Sequence, residues 1–365
     1  MSNFDYIVVG GGIIGMTTAR ELALQGANVA LFDKGELGKE SSWAAGGILS
    51  SMRPWAEHPA SAELSEHGKA LYPEYIASLI KETDIDPEYI RSGLIIIDED
   101  HVAKLTEWAR CKCIKIVEEF QSSPVNINYP EYSILLPEIS QIRTSRLLKA
   151  LHKSLTRLKV SIFENTEITN LVTNNNQFEH VEFNANKATA GAVIITAGAW
   201  SKTLLAKIAC EINIKPIRGQ MICVKPSNQI LDKMILDGGH YFIPRKDGHI
   251  LIGSTMEEVG FINETTAGAR KELMDWATSL MPDIKTAAII KQWAGLRPSN
   301  AQGKPMITQV PNFKNIYLNT GHFRKGILQA PASAKLLVDI LSGNSSFMDI
   351  DRFSIDSKTN SAEFA

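Results

Sequence analysis

The chain has 365 residues, 44% hydrophobic and 21% charged, with a formal net charge of −2. That is enough chain for a large core and two interleaved domains, and its charge leaves no electrostatic footprint for nucleic acid or an anionic membrane. No apolar run approaches a membrane span, and the four cysteines (Cys111, Cys113, Cys210, Cys223) lack zinc or redox spacing, so no metal site is expected.

The first predicted element is a buried strand at Tyr6 to Val9, a short run of β-branched and aromatic type. It begins with no basic segment or cleavage site before it, so export is not expected and the cysteines read as reduced thiols in a cytoplasmic protein. Gly10, Gly12 and Gly15 follow with G-x-G-x-x-G spacing, and a helical pattern starts at Ile13. The first glycine permits a tight turn, the second lets a pyrophosphate approach the backbone, and the third brings helix against strand. The phosphates then meet the positive end of the helix dipole. Gly26 closes the helix, Asn28 to Phe32 forms a second strand, and Asp33 ends it 18 residues past Gly15, where an acid can accept from a ribose hydroxyl. The pattern indicates an adenine dinucleotide and does not choose between nicotinamide and flavin.

Glu40 to Leu49 is dense in small residues at a predicted helix start, which suits either a flat ligand or a close packing contact. Helical periodicity runs over residues 61 to 82, a strand over Tyr89 to Ile97, and an amphipathic helix over residues 101 to 121 with Val102, Leu105, Trp108, Ile116, Val117 and Phe120 inward. Leu135-Leu136-Pro137-Glu138 marks a turn, and Ser145 to Leu158 a helix. Strands follow at Val160 to Phe163, Ile168 to Val172 and Phe178 to Phe183, the last two joined by the turn at Asn174 to Gln177. The strand from Gly191 ends in small residues suited to passing close to a ligand. Residues 216 to 255 are strand-rich, Ala267 to Leu280 and Ala332 to Leu341 are helical, and the tail after Asp349 is polar.

The chain resembles the D-amino-acid oxidase superfamily of FAD enzymes, and most closely its glycine oxidase branch. The resemblance runs through Ser42-Trp43-Ala44-Ala45-Gly46-Gly47, Ser92-Gly93-Leu94, Thr196 to Ser201, and Pro216-Ile217-Arg218-Gly219-Gln220. It continues in Tyr241 to Arg245, Gly253-Ser254-Thr255-Met256-Glu257, Trp293 to Pro298 and Gly321 to Leu328, and so covers most of residues 1 to 345. It implies an α/β fold in which an FAD-binding Rossmann-like domain (1–82, 140–215, 295–350) interleaves with an antiparallel-sheet substrate domain (83–139, 216–294), before a polar tail (351–365).

The implied FAD contacts are Gly10, Gly12, Ile13, Ile14 and Gly15, then Asp33 and Lys34. Ser41, Ser42, Ala45, Gly46, Gly47, Ile48 and Leu49 belong to the next such segment. Ile168 is placed on the adenine side, with Ala197, Gly198 and Trp200 nearby. Gly321, His322, Phe323, Arg324, Lys325, Gly326, Ile327 and Leu328 are implied at the pyrimidine end of the isoalloxazine. The resemblance makes Arg297 the clamp on a substrate carboxylate, Tyr241 a further donor to it, Arg324 a second basic residue and Met256 a space-filling neighbour. Standing alone, Arg297 reads better as a structural ion pair under the Trp293 strand and Tyr241 as a core aromatic with a satisfied hydroxyl; it is their shared spacing that favours the substrate roles. Two departures bear on substrate choice: Ile139 to Thr144 is short, and Gly239 stands where a relative has histidine. Some relatives tether flavin through a cysteine in the C-terminal motif; Cys223 is the last cysteine here, so noncovalent FAD is expected.

The implied activity is oxidative deamination of a small amino acid, glycine first, with oxygen as acceptor and thiamine thiazole formation as the pathway. The rivals are a sarcosine or D-amino acid oxidase or dehydrogenase, and a non-catalytic flavoprotein serving as an assembly partner. A homo-oligomer remains open.

Overall fold

The computed structural model describes residues 3–112, 114–118, 127, 130–228 and 230–355. An eight-stranded sheet carries the strand that leads into the glycine turn. Its central strand Asn3–Val9 pairs in parallel with Val29–Phe32 and Asn186–Ile195, and these pair in parallel with Ser161–Phe163 and Ile316–Thr320 respectively. Ile7, Val8, Leu31, Phe32 and Val193 are fully buried, which explains the unbroken apolar runs rather than alternation. Helices Ile13–Leu24, Pro59–Thr83, Thr144–Arg157 and Gly326–Ser342 pack together on one side of this sheet.

The second sheet has seven strands, in the order Ala288–Asn300, Ile214–Lys225, Ile250–Gly253, His240–Pro244, Met234–Asp237, Leu94–Ile96 and Ile134–Leu136. All its pairs are antiparallel except that of Met234–Asp237 with Leu94–Ile96. Helix Ala267–Leu280 covers one face through Leu273 and Ala277, which join Phe242 and Ile252 in a core. A small third sheet of Ile48–Leu49, Ser140–Gln141 and Ile90–Arg91 lies between the two larger ones in the chain path.

Several boundaries differ from the sequence expectation. The strand expected over Tyr89 to Ile97 is two strands in different sheets, because Gly93 at φ +74° turns the chain between them. The helix expected over residues 101 to 121 is Glu99–Lys112; Val117 instead forms an isolated bridge with Leu135, and Phe120 lies outside the described residues. Leu135 and Leu136 end a strand that precedes the turn. Only Ser41–Ala44 of the expected small-residue helix is helical, and the strand expected from Ile168 is Asn170–Asn174. In the expected polar tail, Phe353 is fully buried in the helical core, and residues 356–365 lie outside the described residues.

The C-terminal helix starts earlier than its periodicity suggests, at Gly326, and carries Pro331 inside it. Proline has no N–H for the carbonyl four residues back, that of Ile327. The buried Tyr72 hydroxyl donates to that carbonyl at 2.5 Å, and Gly68 on the same helix lies so close that a Cβ would sit 2.2 Å from the Leu328 carbonyl oxygen. Tyr72→Phe is expected to leave the buried Ile327 oxygen without this donor and to destabilise the protein by about 2 kcal/mol, read as the shift in the urea unfolding midpoint.

Candidate active site

The turn after the first strand is built by contact with main chain. Gly10 has φ +110°, and a Cβ on Gly15 would lie 1.8 Å from the Gly10 carbonyl oxygen. On Gly12 a Cβ would meet only the Ser42 hydroxyl, at 3.1 Å. Helix Ile13–Leu24 has no side-chain cap and no acid in its first turn, so its leading amides are available to an anion. One of them, Ile13 N–H, donates to Ser42 Oγ at 2.8 Å. Asp33 accepts from Gly11 N–H at 2.6 Å and Gly35 N–H at 2.8 Å. Burial lifts its carboxyl above the ordinary range even against those two amides.

Helix Gly326–Ser342 repeats the motif: no side-chain cap, no acid in the first turn. It follows Gly321 at φ +82° and Phe323 at φ +50°, the latter a conformation that side chains seldom adopt. His322 below this turn is buried. Ser333 Oγ donates to Asn319 Oδ1 at 2.6 Å, so it accepts at 2.8 Å from His322 Nε2, which fixes the tautomer. Burial and the nearby Lys325 charge push the imidazole down to about 3, and it stays neutral. Lys325 itself donates to Ser61 Oγ at 2.9 Å and pairs with Glu57 at 3.2 Å.

Both uncapped helix starts open on one cavity of about 860 Å³, lined also by the second sheet. Strand Ala288–Asn300 is brought over helix Ser41–Ala44 at Gly295, where a Cβ would lie 2.5 Å from the Ala44 Cβ. Trp293 Nε1 donates to the Ala44 carbonyl at 3.1 Å, and the Ser41 hydroxyl donates to the Leu296 carbonyl. That contact carries Arg297 to the cavity. Its guanidinium lies flat over Gly219 and donates to the Thr255 carbonyl at 3.1 Å and Ser254 Oγ at 2.8 Å. Among the described residues no carboxylate pairs with it. Burial lowers its pKa, and the Tyr241 hydroxyl beside it acts in the opposite sense.

Tyr241 is buried, its ring against Gly253 and its hydroxyl also 3.6 Å from Met221 Sδ. Arg324, an exposed residue of the cavity wall, donates to Met256 Sδ at 3.1 Å; partial desolvation and the neighbouring Arg297 charge lower it to about 10. Lys34 lies 3.5 Å from the centre of the Trp200 ring. At Gly239 a Cβ would meet nothing within 4 Å, so the missing histidine leaves open space.

The structure gathers nearly all the sequence-derived positions around this cavity. Gly15, Leu49 and Leu328 are not on its wall: Gly15 packs the turn, and Leu49 and Leu328 are in the helical core. Ser254, Thr255 and Gly219, which hold the guanidinium, all lie in motifs that the resemblance includes, and only the strand register reveals their use. Cys210 and Cys223 are free thiols raised by burial, and Cys113 lies outside the described residues.

Gly15→Ala, whose Cβ would meet the Gly10 carbonyl oxygen, is expected to yield protein that purifies without bound flavin, as read from visible absorbance. His322 has a second consequence. Its pKa falls from about 6.5 in the unfolded chain to about 3 in the folded one. The unfolded chain therefore takes the proton first, and stability drops as pH falls through this window. Melting temperatures measured between pH 7 and pH 4 are expected to fall less steeply in His322→Gln.

The glycine cradle, the open helix ends and the acid after the second strand fit FAD. Residues 5–340 match the family model described as FAD dependent oxidoreductase. Glycine oxidase of Pseudomonas aeruginosa is 38% identical over 349 residues, covering 94% of this chain and 96% of that protein. The crystal structure of glycine oxidase from Geobacillus kaustophilus superposes with a TM-score of 0.91 at 25% identity, covering 99% of this chain and all of that one. The bifunctional protein ThiO/ThiG of Trichormus variabilis is 26% identical, and the match spans 92% of this chain and 52% of that protein. The chain belongs to the FAD-dependent oxidoreductase family.

Proposed function

We propose that the protein oxidises a small amino acid, glycine first, to its imine, which water hydrolyses to glyoxylate and ammonia. The observation that carries this reading is the Arg297 guanidinium, held by a carbonyl and a hydroxyl with no carboxylate partner among the described residues, beside the Tyr241 hydroxyl. A planar two-donor fork suits a carboxylate, and the tyrosine adds a third donor. FAD, when bound, accepts the hydride from the α-carbon and passes the electrons to oxygen, giving hydrogen peroxide. The chain's own part is to anchor the acid end of the substrate and hold the α-carbon toward the loop from Gly321 to Gly326. No general base at the α-carbon is required, because orientation and preorganised charge do the work. The likeness to glycine oxidases, and to a relative named ThiO/ThiG, supports glycine as substrate and a place in thiamine thiazole formation.

A second reading, oxidation of sarcosine or a D-amino acid, is favoured by the open space at Gly239, which leaves room for a methyl group on nitrogen or the α-carbon. The test is anaerobic mixing with glycine, sarcosine and D-alanine, followed by turnover with oxygen or a dye. Glycine is expected to bleach the flavin; bleaching by none of the three overturns both readings. Arg297→Met is expected to raise KM about 100-fold with FAD still bound, since a buried hydrogen-bonded anion loses its partner; an unchanged KM removes Arg297 from the site.

A further inference from the structure

The clamp on the carboxylate has a support on the other side of the sheet. Ile217 pairs with Arg297 and Arg218 with Leu296, so Arg218 and Arg297 point to opposite faces. On the Arg218 face lies Glu257, which accepts from three side chains. Arg218 Nη2 donates to Glu257 Oε2 at 2.5 Å, while Thr255 Oγ1 and Gln220 Nε2 donate to Oε1 at 2.6 and 2.9 Å. The main chains of Arg218 and Glu257 also bond reciprocally, both at 2.9 Å. Arg218 reaches on to the Glu264 carbonyl at 3.1 Å, and Gln220 Oε1 accepts from Thr266 N–H at 2.7 Å, so both ends of the segment from Glu257 to Thr266 are tied to one strand.

Thr255 joins the two faces. Its hydroxyl is bound to Glu257 and its carbonyl accepts from Arg297. We infer that Glu257 is a positioning residue for substrate carboxylate binding, acting through the Thr255 hydroxyl to hold the Thr255 carbonyl and the neighbouring Ser254 hydroxyl against Arg297. The carboxylate is bonded to Arg218, so it fixes the geometry of the clamp without pairing with Arg297. The bonds from Arg218, Thr255 and Gln220 outweigh burial and hold the Glu257 carboxyl at about 2, ionised wherever the protein works.

The inference rests on Arg297 as the carboxylate clamp, and the test separates the two. Acetate, which has the acid group and nothing to oxidise, is titrated into FAD-loaded protein and its binding read from the shift in flavin absorbance. Thr255→Val and Glu257→Ala are expected to weaken acetate about tenfold, the scale of one hydrogen bond to a charged group, with FAD content unchanged. Thr255→Ser, which keeps the hydroxyl, is expected to bind acetate like the parent; in Thr255→Val and Glu257→Ala, KM for any amine that turns over is expected to rise while kcat holds. Equal acetate affinity in Thr255→Val and the parent overturns the inference, as does equal weakening in Thr255→Val and Thr255→Ser. The Thr255 hydroxyl also accepts from Gln220 N–H at 2.9 Å, so parent-like acetate affinity in Glu257→Ala overturns the role of Glu257 whatever the Thr255 variants do; should Glu257→Ala fail to fold, Glu257→Gln takes its place with the same expected weakening and the same overturning result. Failure of the parent to bind acetate removes the clamp and this inference together, whereas acetate binding with the expected variant pattern but no bleaching by any amine overturns the oxidase reading and supports this one.

Discussion

The site depends on one close approach, that of Gly295 to Ala44. A strand of the second sheet runs there against the short helix that follows the nucleotide turn, at a separation only glycine permits. The Trp293 indole and the Ser41 hydroxyl lock the crossing with bonds to main-chain carbonyls on opposite sides. Arg297 is two residues further along, so its distance from the nucleotide loops is set by backbone packing and not by a flexible tether. Orientation of a small substrate needs that kind of rigidity, because misplacement by about 1 Å can lower a rate a hundredfold.

Electrostatics follow the same economy of partners. Two helix starts face the cavity without caps, and the guanidinium beside them lacks a carboxylate partner. Groups that could neutralise these sites are engaged elsewhere: Asp33 with the amides of Gly11 and Gly35, Glu57 with Lys325, Glu257 with Arg218. His322 sits under the turn from Gly321 to Gly326 without adding charge. The cavity thus combines two uncapped helix starts with a guanidinium that has no carboxylate partner among the described residues, while acids such as Glu40 and Glu258 also line it.

Much of this was legible from residue order. The strand, three glycines, helix, strand and acid at the N-terminus are local features, each with its own physical reason, and the structure reproduces them to within three residues. The reading was weaker where tertiary contact decides. Nothing in Tyr89 to Ile97 shows that Gly93 sends its halves into different sheets. The helix from Glu99 stops at Lys112 although apolar residues continue at helical spacing, because Val117 finds Leu135 across a bridge. Phe353 reads as part of a polar tail because its neighbours are polar. The core that covers it joins residues as far apart as Val8 and Met348, beyond the reach of local pattern. Ser254 and Thr255 carry ordinary side chains, and only the register of three strands turns them toward Arg297.

The three-stranded sheet has a mechanical consequence. It pairs Ile48–Leu49, from the nucleotide side, with Ser140–Gln141, which also pairs with Ile90–Arg91 at the entry to the second sheet. Arg245 rivets the same seam, donating to Gln141 Oε1 at 2.8 Å, the Gly46 carbonyl at 2.7 Å and the Ile142 carbonyl at 3.2 Å. Swinging the two halves apart about a hinge would break this stitching all at once. Entry of substrate and exit of product therefore have to proceed with this seam shut.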